Sequence, residues 1–387
     1  MRGWIEKRGN SYRINIDTGT RDAGGNRKLI RKTLKGVGSR EADAELTKML
    51  HELNTGLYIE PTKLSFSDYL DKWLPSHTRE KLSPMSADRY QREIDNRIKP
   101  ILGHILLEKI TPVHIQAFVD EIIRAGRLKE DKPLSTEMIT YDLKIVKTAL
   151  KKAVQWGLIP RNPADSIAAP RATKKHKQEM HILTEDQIKK TLATLKQGKD
   201  HQKYVLILLL VSTGLRIGEA LALEWSDIDF DDAVISVNKT VQRIKKEIIV
   251  KPPKTETSIR KVTIDDHLVA TLKRHKVRQS ERRLLLANKW KGTTNKVFTG
   301  PIGGLTVPST IEGWWIKFRP EVGLDNVRLH DLRHTHATHL LASGQVDIKT
   351  ISARLGHKNA SMTLNTYSHV LPAKERGAAT VMAHLWT

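Results

Sequence analysis

The stretch LHDLRHTHATHLLASG, Leu329–Gly344, decides how this chain is read. Leu329, Leu332, Leu340 and Leu341 form the apolar side of a helix, and Gly344 follows its end. His330 and Arg333 are three residues apart, so both project from one helical face. Shortly afterwards comes ISARLGHKNASMTLNTYSHV, Ile351–Val370. There a Leu355-Gly356 stop precedes His357, and a further short helix carries Tyr367. Far upstream, STGLRIGEALALEW, Ser212–Trp225, places Arg216 at a helix start behind a tight turn at Gly214. Helix N-termini already favour anions, and an arginine there adds to the positive end. Glu219, one turn on, can orient that guanidinium; taken alone, the two read as an ordinary surface ion pair. Two arginines can grip one phosphate through their planar forks of donors, and a tyrosine beside that phosphate can attack it.

A net charge of +23 over 387 residues is the strongest bulk signal. A field of that sign attracts polyanions, of which nucleic acid is the commonest. The chain has no cysteine, which removes disulfides, thiolate catalysis and Cys-based zinc sites, and makes a cytoplasmic setting the simpler expectation. The longest apolar run, Val205–Val211, falls far short of a membrane span. The opening MRGWIEKRGN lacks the apolar segment of a secretory signal. HTHATH, with His334, His336 and His339, invites a zinc reading. HExxH is absent and no carboxylate pair accompanies the histidines, so neither metal nor cofactor is expected.

Length predicts two or three domains. Residues 1–58 read as a small module. SYRINID (Ser11–Asp17) and RKLIRKT (Arg27–Thr33) alternate as strands around the turn residues DAGGN. A helix follows, with Ala42, Leu46, Met49 and Leu53 on one face. Arg13, Arg27, Arg31 and Lys32 are expected to point outward, with Trp4 and Tyr12 interleaved, as candidate DNA contacts. Residues 64–165 read as all-helical. Ser65 and Asp68 cap a first helix that Pro75 is expected to close; Thr111-Pro112 opens another. Ser135–Trp156 aligns Ile139, Leu143, Val146, Leu150 and Val154 in one stripe, leaving Lys144, Lys147, Lys151 and Lys152 outward as candidate phosphate contacts. The stretch PADSIAAPRATKKHKQEMHI reads as a basic linker without apolar periodicity. Residues 180–387 read as mixed α/β: a helix capped by Thr184 and Gln187, a buried helix through YVLILLLVS, strands between Ala233 and Ile264, then helices. The fold class expected is multidomain α+β.

The blocks around Arg216, His330, Arg333, His357 and Tyr367 resemble the catalytic domain of tyrosine recombinases, the phage and conjugative-transposon integrases. The family pattern is Arg…Lys…His-x-x-Arg…His/Trp…Tyr. The resemblance implies that Arg216 is the first arginine, His330 and Arg333 the His-x-x-Arg pair, His357 the second histidine and Tyr367 the nucleophile, with Glu219 the supporting acid. In KPPKTETSIRKVTID it implies Lys254 as the catalytic lysine, with Lys251 as the competing assignment. It further implies an arm-type DNA-binding module over 1–58, a core-binding domain over 64–165 and a catalytic domain over 180–387. The partners implied are double-stranded DNA at core and arm-type sites and a homotetramer formed by exchange of the C-terminal tail, LPAKERGAATVMAHLW. An excisionase or a DNA-bending protein is a candidate accessory. Two other readings stand beside it: a type IB topoisomerase, which reseals the same strand, and a catalytically silent DNA-binding relative.

Overall fold

The computed structural model describes residues 2–21, 25, 27–55, 58, 63–81, 83–126, 134–170, 180–244, 247–253, 256–292, 295–357 and 359–367. The chain folds as two compact units, Met1–Lys175 and His176–Thr387. Among the described residues, no helix is long and apolar enough to cross a membrane.

The first unit holds two separate apolar clusters. The smaller belongs to an antiparallel sheet of β1 (Arg2–Arg8), β2 (Ser11–Arg21) and β3 (Arg27–Lys35), packed on α1 (Ser39–Asn54). Ile14 and Ile16 are fully buried beneath α1 together with Met49, because alternate residues of a strand face one side. The same alternation bears on one expectation. Lys32 is paired opposite Ile14, on the helix side of the sheet, where it meets Glu45 at 2.6 Å while its side chain stays 46% exposed. Arg13 and Arg31 occupy the opposite face with Trp4, which is 47% exposed. Tyr12, opposite Leu34, lies on the helix side.

The larger cluster joins α2 (Phe66–Lys81), α3 (Pro84–Glu93), a π turn (Ile94–Ile98), the short α4 (Lys99–Leu102), α5 (Pro112–Ala125) and α6 (Thr136–Gln155). Thr111 and Ser135 cap α5 and α6, accepting the His114 and Met138 N–H groups, and Gly157 follows α6 at φ +68°. Ser65 caps α2 as expected, accepting the Asp68 N–H at 3.1 Å. Pro75, however, does not close that helix; α2 runs through it. Phe66, Tyr69, Leu70, Trp73 and Leu74 are all buried, and this packing outweighs the single backbone hydrogen bond a proline removes. Ala164 and Ile167, in the stretch read as linker, also belong to this core, and Lys147 Nζ donates to the Ile167 carbonyl at 2.7 Å.

The second unit is built around α8 (His201–Thr213), apolar on all sides and buried from Tyr204 to Leu210. It is preceded by α7 (Glu185–Gln197), whose N-terminus carries the Thr184–Gln187 capping box, and followed by α9 (Ile217–Ala222). β4 (Ile228–Asp229), β5 (Val234–Val237) and β8 (Arg260–Thr263) form one antiparallel sheet; β6 (Thr240–Ile244) and β7 (Glu247–Lys251) form a two-stranded ribbon. Helices α10 (Asp266–Leu286), α11 (Pro308–Phe318), α12 (Leu329–Ser343), α13 (Ile348–Leu355) and α14 (Ala360–Tyr367) complete the unit.

Candidate active site

The site begins where α8 ends. Gly214 takes φ +66°, reversing the chain so that Leu215 is buried and Arg216 becomes the N-cap of α9. The Glu219 carboxylate accepts from the Arg216 backbone N–H at 3.0 Å and from its Nη1 at 2.8 Å. Glu219 is 3% exposed, so the bland reading of the Arg216–Glu219 pair as a surface contact fails on its acidic side. A second cation explains that burial: Arg260 Nη2, from β8, donates to Glu219 Oε2 at 2.9 Å. Burial alone would raise the Glu219 carboxyl. The hydrogen bond and charge of Arg260, with the charge and backbone N–H of Arg216, outweigh it and hold the pKa below the ordinary value.

Arg333 lies in α12 and is 3% exposed. Its Nη1 donates to the Gly214 carbonyl at 2.8 Å and its Nη2 to the Leu355 carbonyl at 2.7 Å, tying the end of α8 to the end of α13. His330, one turn earlier, has its ring 4.7 Å from that of His334. His330 is exposed at the surface, yet the protein packed around it partly desolvates the imidazole and lowers its pKa. The His334, Arg333 and Arg216 charges push it further, to about 4. His357 follows Gly356, which takes φ +68°. Its Nδ1 lies 2.8 Å from Thr363 Oγ1, linking the site to α14. Burial, followed by the charges of Arg333, Arg216 and Arg260, lowers this imidazole to about 4 as well.

Arg216 and Arg333 thus act on both His330 and His357. Four groups from three distant segments share one locality. It carries three guanidinium groups, from Arg216, Arg260 and Arg333; the buried Glu219 carboxylate pairs with two of them, and the positive surplus favours an anion. Tyr367 is the last residue of α14, and its side chain is outside the described set. Lys254 lies outside the described residues, between β7 and β8; Lys251, half-buried, ends β7. The tail 368–387 is also outside them.

The extra histidines are used in separate directions. His336 Nδ1 meets the Val211 carbonyl at 2.8 Å, while its Nε2 receives Arg354 Nε at 3.2 Å. His339 Nε2 meets the Leu183 carbonyl at 2.8 Å. Sequence reasoning missed Arg260 as part of the site. Besides Glu219, it holds the Arg354 carbonyl at 2.6 Å, directly before the Leu355-Gly356-His357 turn. Its only signal was a place near Lys254 in the strand segment.

The DNA-contact candidates are dispersed. Arg31, Lys144 and Lys151 are exposed and Arg13 is half-buried. Arg27 is exposed and reaches Asp17 at 3.5 Å. Lys32 and Lys147 are engaged as described above.

Residues 181–374 match the phage integrase family, and residues 65–123 match a phage integrase N-terminal SAM-like domain. A protein of Caldanaerobacter subterraneus subsp. tengcongensis named tyrosine recombinase XerC-like is 30% identical over 390 residues, covering 97% of this chain and 96% of the relative. The ICEBs1 integrase of Bacillus subtilis is 30% identical over 276 residues, 70% of each chain. Among solved structures, the Tn1549 transposon integrase in complex with transposon right end DNA overlays with TM-score 0.65 at 22% identity, covering 83% of this chain and all of that one. A lambda integrase tetramer bound to a Holliday junction overlays with TM-score 0.57 at 20% identity, covering 93% and 96%. These structures share the fold; the family match and the relative aligned along nearly the whole length establish kinship. This chain belongs to the phage integrase family of tyrosine recombinases.

Proposed function

We propose that the chain is a site-specific recombinase that cleaves and rejoins double-stranded DNA through a covalent 3′-phosphotyrosine intermediate, integrating or excising a mobile element. The observation that carries this reading is the convergence of Arg216, Arg333, His330 and His357: Arg333, one turn after His330, donates to the Gly214 and Leu355 carbonyls, each two residues before Arg216 and His357.

Tyr367 is the nucleophile. A free phenol has a pKa near 10, so only about 0.1% is ionised at pH 7, a cost of roughly 4 kcal/mol. A neutral imidazole beside the phosphate can take that proton, and pKa values of about 4 keep both His330 and His357 neutral in the DNA-free protein. The two guanidinium groups stabilise the charge that builds on the phosphate during attack. Glu219 and Arg260 position Arg216 and the turn before His357. The 5′ oxygen leaves with a proton from Lys254, or from Lys251 if the assignment shifts. The phosphotyrosine preserves the diester's energy, so a second 5′ hydroxyl can reverse the step without nucleotide hydrolysis.

Around this centre, residues 64–165 serve as the core-binding domain, with Lys144 and Lys151 toward phosphates. Residues 1–58 serve as an arm-type module using the Trp4, Arg13 and Arg31 face. The lambda integrase tetramer on a Holliday junction supports a tetrameric assembly here, which we assign to exchange of the tail 368–387. A cytoplasmic site of action, with an excisionase or bending protein as accessory, completes the reading.

The test uses a nicked duplex carrying the element's junction, incubated with the protein and a chelator. Wild type forms a denaturant-stable adduct that maps to Tyr367, while Tyr367→Phe binds the same DNA within about twofold and forms none. An adduct on another residue, or loss of binding in Tyr367→Phe, overturns the assignment. Transfer of the held strand to a second duplex separates recombination from resealing of one strand.

A further inference from the structure

Thr363, between His357 and Tyr367, takes no part in the strand-transfer steps proposed above. It lies in α14, one turn before Tyr367, and is fully buried. Its Oγ1 stands 2.8 Å from His357 Nδ1. Among the described residues this is the one side-chain hydrogen bond of either group. Helical threonines elsewhere in the chain turn the hydroxyl back on their own helix. Thr191 donates to the Gln187 carbonyl at 2.7 Å, and Thr335 to the Asp331 carbonyl at 2.8 Å. Thr363 instead sends its hydroxyl out of α14, to a ring six residues earlier in the chain.

The direction of this bond follows from what each group can satisfy. A hydroxyl offers one donor and two lone pairs; a neutral imidazole offers one donor and one acceptor nitrogen. Burial, followed by the charges of Arg333, Arg216 and Arg260, lowers His357 to about 4, so the ring is neutral near pH 7. Were Nδ1–H the donor, the buried hydroxyl proton would have no acceptor among the described residues. With the hydroxyl as donor, the O–H and Nδ1 satisfy each other. Only oxygen lone pairs then go unfilled, which a protein interior tolerates better than an orphaned donor. Nδ1 is therefore the acceptor and the ring proton sits on Nε2, since the partner of one imidazole nitrogen sets the state of the other. Nε2 makes no hydrogen bond among the described residues and is the nitrogen left for an anion beside the arginines. We propose that Thr363 is a positioning residue for strand transfer: its hydroxyl donates to His357 Nδ1, fixes the orientation and tautomer of the ring, and holds Nε2–H ready to donate to the scissile phosphate. This role rests on the recombinase reading given above. Because Thr363 and Tyr367 share α14, the helix that carries the nucleophile also sets the histidine.

Two measurements on the full chain test it. The first is nitrogen NMR of the DNA-free protein with isotope-labelled histidines, His357 being assigned by its loss in His357→Ala. Wild type should show a single tautomer with the proton on Nε2. Thr363→Val keeps the side-chain shape and removes the hydroxyl, so the two tautomers should mix, and Thr363→Ser should restore one. A proton on Nδ1 in wild type, or an unchanged single tautomer in Thr363→Val, overturns the proposal. The second measurement is single-turnover cleavage of the nicked duplex. Loss of an aimed donor costs ~100–1,000-fold, so Thr363→Val, which loosens the donor without removing it, should slow cleavage about tenfold. DNA binding and thermal unfolding should be unchanged, and Thr363→Ser should cleave like wild type. In a His357→Ala background, Thr363→Val should cause no further loss; an equal loss with and without His357 would leave Thr363 a structural residue only. The wild-type spectrum needs neither DNA, turnover nor a folded valine variant, so a wrong tautomer and a missing Tyr367 adduct are separate results.

Discussion

At Gly214 a side chain would have nowhere to go. A Cβ there would stand 2.7 Å from His336 Cδ2 and 2.9 Å from Leu355 Cδ2, on a backbone at φ +66°. Strain and overpacking together predict a loss of about 2–4 kcal/mol for Gly214→Ala, checked by urea denaturation. Because the Gly214 carbonyl seats Arg333, single-turnover cleavage should fall at least tenfold in the same variant. Glu219 neutralises two arginines, one of them only 6% exposed at its side chain. Glu219→Ala leaves Arg260 buried without its counter-charge and should cost about 3–5 kcal/mol, whereas Glu219→Gln, which keeps hydrogen-bonding atoms in place, should cost less. Equal losses in the two would mean that charge is not what Glu219 supplies. His336 illustrates a constraint of another kind. Arginine only donates, so the Arg354 contact makes His336 Nε2 the acceptor and places the ring proton on Nδ1, toward the Val211 carbonyl.

Among the elements, α2 is the one whose sequence and structure disagree. Proline at an exposed interior position removes a backbone donor, and the helix survives because Trp73 and Leu74 are held in the core. Pro75→Ala should therefore stabilise the helical domain by about 1–2 kcal/mol, read as a rise in thermal midpoint. A fall would mean that the proline shapes the helix rather than merely interrupting its hydrogen bonds. Elsewhere the element boundaries were legible because their signals are local. Ser135, Thr111 and Thr184 each accept the backbone N–H three residues on, an interaction written within four consecutive residues. The face on which Lys32 falls was not legible, since it depends on strand pairing with Ile14 and on the helix that covers one side.

For the whole molecule, proton and salt linkage set the expectations. His275, His330, His336 and His357 are each lowered to about 4, with burial the leading cause. An unfolded histidine titrates near 6.5, so between about pH 4 and 6.5 the unfolded chain binds more protons than the folded one. Stability should fall as pH drops through that window and level off above it. The lowered Glu219 carboxyl adds loss of the same sign at more acid pH. Calorimetric unfolding from pH 7.5 to 4.5 checks this, and a flat midpoint would contradict imidazoles held neutral in the folded chain. With a net charge of +23, DNA affinity should fall by orders of magnitude between about 50 and 200 mM salt. A flat salt profile in filter binding would remove the polyanion argument.

By itself the sequence determined the helices with their caps, the two arginines, two histidines and tyrosine at their spacings, and the charge that suits a polyanion. All of these are properties of short windows or of summed composition. Tertiary structure alone decided that Arg260 joins Glu219, 41 residues away, and the Arg354 carbonyl, 94 residues away. It also decided that Arg333 reaches the Gly214 carbonyl across 119 residues, that His336 and His339 of HTHATH meet different carbonyls, and that the far end of α8 opens on a cleft. The physical reason is that a buried arginine needs acceptors whichever segment supplies them, and which segments meet is settled by packing of the core around α8 rather than by any pattern along the chain.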